Sequence, residues 1–508
     1  MTLVRPLQAT GTMPRRYRAT VRRSMNEFIR QRRGLLAGIG ATLIFAYWAV
    51  THYEPRVLAS ILLSGLTLGA LYFLVTSGLS LIFGLMDVLN FAHGTLFMIG
   101  AYVGFTLYAN PRLLLNTMPF VLAFVAGWLL TRWFPTNRMK APRWWFWLGA
   151  LWGFELAPLA TTALSSGGRV PTEEAQAPTA IFIGRTVGLS VAGFIAGIAF
   201  LIGKEHSRPP TRADLVLGLS MLALALIIAP FRLAAEGWLL SINANIRFLL
   251  ALVIGAASGA ALGGLMEWSL IRPLYSRPIY QVLVTLGLVF VGTELVKGIW
   301  GPGGYFMELP EWFSRRGPDC PSPNLIAWLR DNCASIDVLG RPFPSYRIFI
   351  IALGIAMFIG IALLLRRTRL GMIIRAGVQD GEMVQALGIN VRRVFTLVFA
   401  LGAGLAALGG VAAAPFLGIS PGLGQEFQLQ AFIAVVIGGM GSFTGAAMGA
   451  LLVGLARAFG DQIVLTGIQL PWMSEAITFS PSIARASTVL IMALVLLLRP
   501  AGLFGKKE

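Results

Sequence analysis

The chain has 508 residues, 56% of them hydrophobic and 12% charged, with a mean hydropathy of +0.73. A soluble globular protein carries about 25% charged residues, so that class is excluded. The formal net charge of +19 would suit a nucleic-acid binder, but the cations fall mostly in a basic leader and in loops between apolar runs. There, Lys and Arg orient a membrane protein.

Fourteen hydrophobic segments follow one another: 34–50, 57–83, 88–108, 118–134, 145–163, 180–202, 213–230, 248–270, 280–300, 347–365, 394–415, 427–440, 443–460 and 484–498. Most match the about 17–25 residues of a spanning helix. The fold class is all-α, a polytopic transmembrane helical protein with broken or re-entrant helices. Placing the amino terminus inside puts 26 Lys and Arg in inward segments and 9 in outward ones, with 6 in or beside spans. That asymmetry predicts an inner-membrane protein with both termini cytoplasmic.

Residues 1–33 carry nine Arg against Glu27 alone. No small-residue cleavage site follows Gly34–Val50, so the expectation is a disordered or membrane-surface basic tail attracted to anionic lipid, not a signal peptide. It also lacks the interleaved aromatics of a single-strand nucleic-acid platform. The span 34–56 then precedes a first core part, 57–108.

Within that part, Gly78–Tyr102 (GLSLIFGLMDVLNFAHGTLFMIGAY) places Asp87, Asn90, His93 and Thr95 in an apolar stretch. Polar groups at membrane depth usually face a bundle interior, and non-helical backbone survives there only against protein or a watery cavity. The expectation is a helix, a break near Leu85–Asn90, and a second segment entering a pathway, with Asp87 capping its start. A plain turn between two spans is the alternative. His93 is either a structural hydrogen-bonder or a donor to a solute carboxylate or carbonyl.

Residues 109–247 carry no motif with a chemical meaning. Trp144, Trp145 and Trp147 follow a basic turn, as an interfacial aromatic belt would. From 248 onward small residues cluster, among them Gly438, Gly439, Gly441, Ser442 and Gly445, which permit close helix packing or a helix break. The short segment 427–440 reads as broken or re-entrant. Glu294 with Lys297, and Arg457 with Asp461, are spaced to pair on one helix face; Glu155 and Glu267 have no such cation, and Glu267 could reach toward Arg272. Cys320 and Cys333 lie in the outward loop 301–346, either as a disulfide or as free thiols. No His lies nearby, so a zinc site is not expected.

The loop Arg366–Arg393 is basic at both ends and amphipathic between, with Met372, Ile373, Ala376, Met383, Ala386 and Leu387 on one face and Gly388 as a helix stop. Such a helix lies on lipid or docks in a partner's groove. Five stretches, in order, are FGLMDVLNFAHGTLFMIGAY, IRPLYSRP with VTLGLVF, LGMIIRAGVQDGEMVQALGIN, GGMGSFTGAAMGALLVG and RPAGLFG. Together they resemble the integral-membrane permease family of ABC importers for branched-chain amino acids and related amides, over roughly 57–108 and 248–505.

That resemblance implies a pathway-lining subunit that pairs with a homologous permease or a second copy. Two cytoplasmic ATPases and a periplasmic solute-binding protein would complete the assembly. By motif position, Asn90, Phe91, His93 and Gly94 lie on the substrate pathway. Gly371, Arg375, Ala376, Gln379, Asp380, Leu387, Gly388 and Ile389 form an ATPase-coupling helix, which favours docking over lipid. The chain departs from the family by its first span and by the multi-span block 109–247.

No cofactor is expected on this chain, with ATP held by the partners, since GK at 203–204 and 505–506 is not followed by Ser or Thr. A stand-alone secondary transporter or channel is the rival reading, and it lacks a ladder of intramembrane acids. A membrane-embedded enzyme lacks clustered carboxylates, HExxH and GxSxG.

Overall fold

The computed structural model describes residues 47–133, 179–201, 212–379, 381–467, 479–499 and 502–504, with positions 144, 148, 149 and 477. The basic tail, nearly all of 34–50, most of 145–163 with Glu155, and Asp380 lie outside the described residues. Nine described helices are long and apolar enough to cross a membrane.

In chain order the helices begin with α1 (Pro55–Met86), α2 (His93–Ala109), α3 (Pro111–Leu130), α4 (Thr179–Leu201), α5 (Arg212–Ser241), α6 (Ala244–Met266) and α7 (Pro278–Trp300). After the loop come α8 (Leu325–Asp331), β1 (Ser335–Val338), β2 (Arg341–Pro344) and α9 (Ser345–Arg367). Then follow α10 (Arg369–Gln379), α11 (Gly381–Ala386), α12 (Val391–Leu417), α13 (Leu423–Gly438), α14 (Phe443–Thr466) and α15 (Pro481–Leu498). The two strands form one antiparallel hairpin, with Ser335 opposite Pro344. One face of the bundle therefore carries the loop 301–346, the loop end. The opposite face carries α10 and α11, the basic end.

α12 is the axis, contacting α1, α2 and α6, while α14 lies along α1. Small residues make this possible. A Cβ on Gly410 would stand 1.9 Å from the Phe97 carbonyl oxygen, and one on Gly78 would stand 2.3 Å from that of Gly402. Fully buried Phe97, Tyr102, Phe248 and Phe399 fill the space between the helices. α3, α4 and α5 form a side bundle with its own cluster of Phe120, Phe182, Leu189 and Ala229. Arg112 pairs with Glu236 at 2.9 Å and Arg132 with Asp214 at 3.0 Å, pinning α3 to α5 at both ends.

Several expected boundaries shift, each for a local reason. α3 starts at Pro111 because proline suits the first helical turn, where its missing N–H has no intrahelical partner anyway. α5 runs past Pro230 to Ser241, so that proline stands inside the helix without ending it.

α6 closes with a π turn, Glu267–Ile271, where the Arg272 N–H reaches the Glu267 carbonyl. Its i→i+5 geometry places Arg272 over Glu267, which an ordinary helix would not. Fully buried Glu267 accepts from Arg272 Nε at 3.2 Å and Nη2 at 3.0 Å, and from the Tyr275 hydroxyl. Arg272 also donates to the Arg392 carbonyl and to Thr396 at the start of α12. The expected Glu294–Lys297 and Arg457–Asp461 pairs form, at 2.7 and 3.0 Å. Cys320 and Cys333 are bonded.

Two outcomes follow for stability. Arg272→Ala strands a buried carboxylate and should cost about 3 kcal/mol, while Glu267→Gln combined with it recovers most of that loss; thermal denaturation in detergent reads both. By the same assay Gly410→Ala should cost about 1–3 kcal/mol by overpacking. Gly287→Ala, with nothing within 4 Å of its Cβ, should stay within about 0.5 kcal/mol of the parent.

Candidate functional site

The break expected near Leu85–Asn90 is present. α1 ends at Met86, and Asp87 adopts a left-handed conformation (φ 52°) with its N–H on the Phe83 carbonyl. Asp87 therefore terminates α1 and does not cap α2: the N-cap position of α2 is Ala92, which offers no side-chain acceptor. The expected role of Asp87 is corrected on that ground. Asn90 does the local capping work, its Oδ1 accepting from the Ala92 N–H at 3.0 Å.

His93 is fully buried against α1, and its Nε2 donates to the Val75 carbonyl at 3.1 Å. Since Val75 lies about three turns before the end of α1, the chain turns back along that helix before α2 begins. The first N–H groups of α2 lack intrahelical partners, and in hydrocarbon they need some other acceptor. The Gly94 N–H donates to Gln428 Oε1 at 2.6 Å, and Gln428 Nε2 donates to the Asn90 carbonyl at 3.3 Å.

Gln428 on α13 thus closes both sides of the break. Its sequence context does not single it out, because Gln425, Glu426 and Gln430 stand beside it and its partners lie more than 330 positions away. Gly94 allows this approach, since a Cβ there would stand 2.1 Å from the Gly424 carbonyl oxygen. Phe91 stacks on Phe432 with centroids 6.2 Å apart. Asn90 Nδ2 and His93 Nδ1 are buried polar atoms without a hydrogen-bond partner among the described residues.

The Gly-rich stretch forms a second seam. Gly438 ends α13, Gly439 (φ 98°) and Gly441 (φ 77°) carry the turn, and Ser442 Oγ caps α14 by accepting from Gly445 N–H at 3.1 Å. A Cβ on Gly438 would meet the Gly445 carbonyl at 2.2 Å. The closing RPAGLFG stretch returns to this seam. The N–H groups of Leu503 and Phe504 donate to the carbonyls of Ile437 and Gly438 at 2.8 and 3.0 Å, completing the end of α13.

At the basic end, Arg366–Arg393 folds as two short helices. Thr368 Oγ1 accepts from the Gly371 N–H at 3.1 Å, and a Cβ on Gly371 would stand 2.3 Å from the Leu365 carbonyl, so the turn from α9 into α10 is tight. Ile374 packs with Leu85 and Val398, and Val384 is buried; these inward residues were not picked out from sequence. Met372, Met383 and Leu387 are each more than half exposed, and Arg375 is exposed while Ala376 and Ile389 are partly covered. Gly388 (φ +79°) is the stop, with its N–H on Gln385 and that of Ile389 on Val384. The side chain of Gln379 lies outside the described residues.

A cavity of about 740 Å³ opens at the loop end, between α1, α9, α13 and α14. None of the four expected pathway residues lines it. They sit deeper, beyond Tyr72 and Phe427.

Residues 212–498 match the family model described as branched-chain amino acid transport system / permease component. The chain belongs to this permease family. The permease is 28% identical over 337 residues to the high-affinity branched-chain amino acid transport system permease protein LivH of Escherichia coli strain K12, covering 65% of this chain and 91% of LivH. It is 36% identical over 163 residues to the corresponding permease protein BraD of Pseudomonas aeruginosa, covering 32% of this chain and 48% of BraD. A probable LivH of Methanocaldococcus jannaschii is 27% identical over 161 residues, 30% of this chain and 45% of that relative. No solved structure matches. The family match begins at residue 212, inside the block 109–247 that carries no interpretable motif.

Removing the clamp tests the break. Gln428→Ala leaves the Gly94 N–H and the Asn90 carbonyl without it, at about 1–3 kcal/mol each, and should lower the thermal midpoint of the purified permease. Gln428→Glu keeps the acceptor and loses the donor, and should fall between.

Proposed function

We propose that the permease is the transmembrane subunit of an ATP-driven importer carrying branched-chain amino acids or similar small amino acids and amides across the bacterial inner membrane. The single observation that carries this reading is the exposed face of α10 and α11, with Met372, Met383 and Leu387 beside Arg375 and bracketed by Arg366, Arg367, Arg392 and Arg393. An apolar stripe with basic flanks suits a groove on a separate motor protein, in keeping with membership of a transport-system permease family.

On this reading two cytoplasmic ATPases hold the ATP, a homologous permease or a second copy completes the membrane unit, and a periplasmic solute-binding protein delivers the solute. Both termini face the cytoplasm, and the basic end is the cytoplasmic one. The pathway runs past Asn90, Phe91, His93 and Gly94, where the buried Nδ2 of Asn90 and Nδ1 of His93 have no hydrogen-bond partner among the described residues.

Mechanically, α10 is wedged against Leu85 at the end of α1 and against Val398 of α12. Closure of the motor would shift α10 and bias the broken helices between outward and inward arrangements, an equilibrium moved by differential contacts in the two states.

Arg375→Glu together with Gly388→Pro should abolish co-purification of the ATPase subunits in mild detergent and stop ATP-driven uptake. Stoichiometric ATPase with normal uptake in that variant would refute the assignment.

A further inference from the structure

The loop-end cavity has walls of two kinds. Tyr72, Phe416, Ile419 and Phe427 give it an apolar side, and four charged residues, Arg347, Glu426, Arg457 and Asp461, also line it. A cavity of about 740 Å³ falls within the range of small-ligand sites, about 300–1,000 Å³, which are mostly apolar with a few placed polar groups.

The four charges are not equally committed. Arg457 Nε donates to both carboxylate oxygens of Asp461, at 3.0 and 3.2 Å. Arg347 has no carboxylate within salt-bridge distance among the described residues. Its Nη1 donates to Ser64 Oγ at 3.0 Å, its guanidinium lies 4.7 Å from the centre of the Phe416 ring, and its Nε is buried without a hydrogen-bond partner. Glu426 lies 4.0 Å from Arg457 Nη1, too far for a hydrogen bond, and Nη1 is itself buried without one. The cavity thus presents one unneutralised guanidinium and one loosely held carboxylate. A guanidinium fork matches a carboxylate in shape and charge, and a carboxylate accepts from an ammonium.

We propose that this cavity is a binding site for a zwitterionic α-amino acid with an apolar side chain. Arg347 receives the carboxylate, Glu426 the ammonium, and the wall of Tyr72, Phe416, Ile419 and Phe427 the side chain. The proposal rests on the transport reading above and gives it a residue-level basis for substrate class.

The floor of the site is aromatic: the Tyr72 and Phe427 centroids are 5.4 Å apart, and Phe427 stacks on fully buried Phe97 at 4.2 Å. Phe97 lies one turn beyond His93 in α2, so a solute held here stands on the loop-end side of the broken helix with the stack between them. A lone carboxylate would leave Glu426 without its mate, and a lone amine would leave Arg347 without one. Recognition therefore needs both ends of the ligand.

The test uses the permease with its co-purifying subunits, washed free of soluble binding protein, in nanodiscs of phosphatidylglycerol. Three probes are compared: L-leucine, 4-methylpentanoate, which lacks the ammonium, and 3-methylbutylamine, which lacks the carboxylate. Leucine should bind at least tenfold tighter than either analogue. Arg347→Gln should weaken leucine by about 10–100-fold, the worth of a charge-assisted contact, while leaving the amine nearly unchanged. Glu426→Gln should do the converse, sparing the acid. Arg347→Lys keeps the charge and should recover part of the affinity, which separates charge recognition from misfolding.

Equal weakening of all three probes, or no change in any, overturns the site. So does phosphatidylethanolamine that co-purifies and competes with leucine, since the cavity would then hold a lipid headgroup. ATP-driven leucine uptake in proteoliposomes is measured alongside. Uptake that persists while the variants bind all probes like the parent sinks the site and leaves the transport reading standing. A wild-type assembly that takes up no leucine sinks the transport reading itself.

Discussion

A peptide group in hydrocarbon has no water to bond with, so each place where a helix stops inside the membrane must supply its own partners. Among the described residues two such places stand out, and they are built differently. Where α1 gives way to α2, the missing partners come from side chains: Asn90 to the Ala92 N–H, Gln428 to Gly94 and back to Asn90. Where α13 gives way to α14, they come from Ser442 and from the main chain of the closing residues 503–504. Everything else in the core, from the approach of Gly78 to Gly402 to the stack of Phe97 on Phe427, depends on these two seams holding the short helices in register.

The short sequence motifs acquire a common physical meaning from this. IRPLYSRP supplies Arg272 and Tyr275 to the buried carboxylate of Glu267 across a π turn. GGMGSFTGAAMG supplies a turn at two positive φ angles and a contact between Gly438 and Gly445 that no Cβ would permit. RPAGLFG supplies the last donors of the α13 seam, helped by Gly502 (φ +75°) resting on Gly439. These stretches are the joints of the bundle; the spans between them need only be apolar and of the right length.

That division explains what could be read from the chain. Spans show as apolar runs, the break at 85–90 shows as polar residues where none should be, and Gly388 shows as a stop after an amphipathic stretch. Gln428 and Arg347 were beyond reach for a single reason. Their significance lies in partners far along the chain, Gly94 and Asn90 for one and Ser64 for the other, and periodicity carries no information about such contacts. Asp87 misled for a related reason: an acid before a helix looks like a cap, and only the backbone torsion shows that it closes the helix behind it. α3 begins before the apolar run 118–134 and α5 continues beyond the run 213–230, and each holds a proline, Pro119 or Pro230, inside the helix; hydropathy alone does not mark these ends.

The cavity and the helix pair at the basic end lie on opposite faces of the bundle, yet two elements run from one to the other. α1 lines the cavity with Ser64, Leu68 and Tyr72 and ends with Leu85 against Ile374 of α10. α9 brings Arg347 to the cavity and turns into α10 through Thr368. At about 1.5 Å per residue, α1 alone, with 32 residues, is long enough to cross the hydrocarbon without a joint. Physical coupling between distant sites needs a contiguous packed element with two arrangements. The unbroken α1 provides the rod, and the break between α1 and α2, closed by Gln428, provides the joint about which the arrangement can change. The same constraint that makes the break costly thereby confines any movement to the few hydrogen bonds that close it.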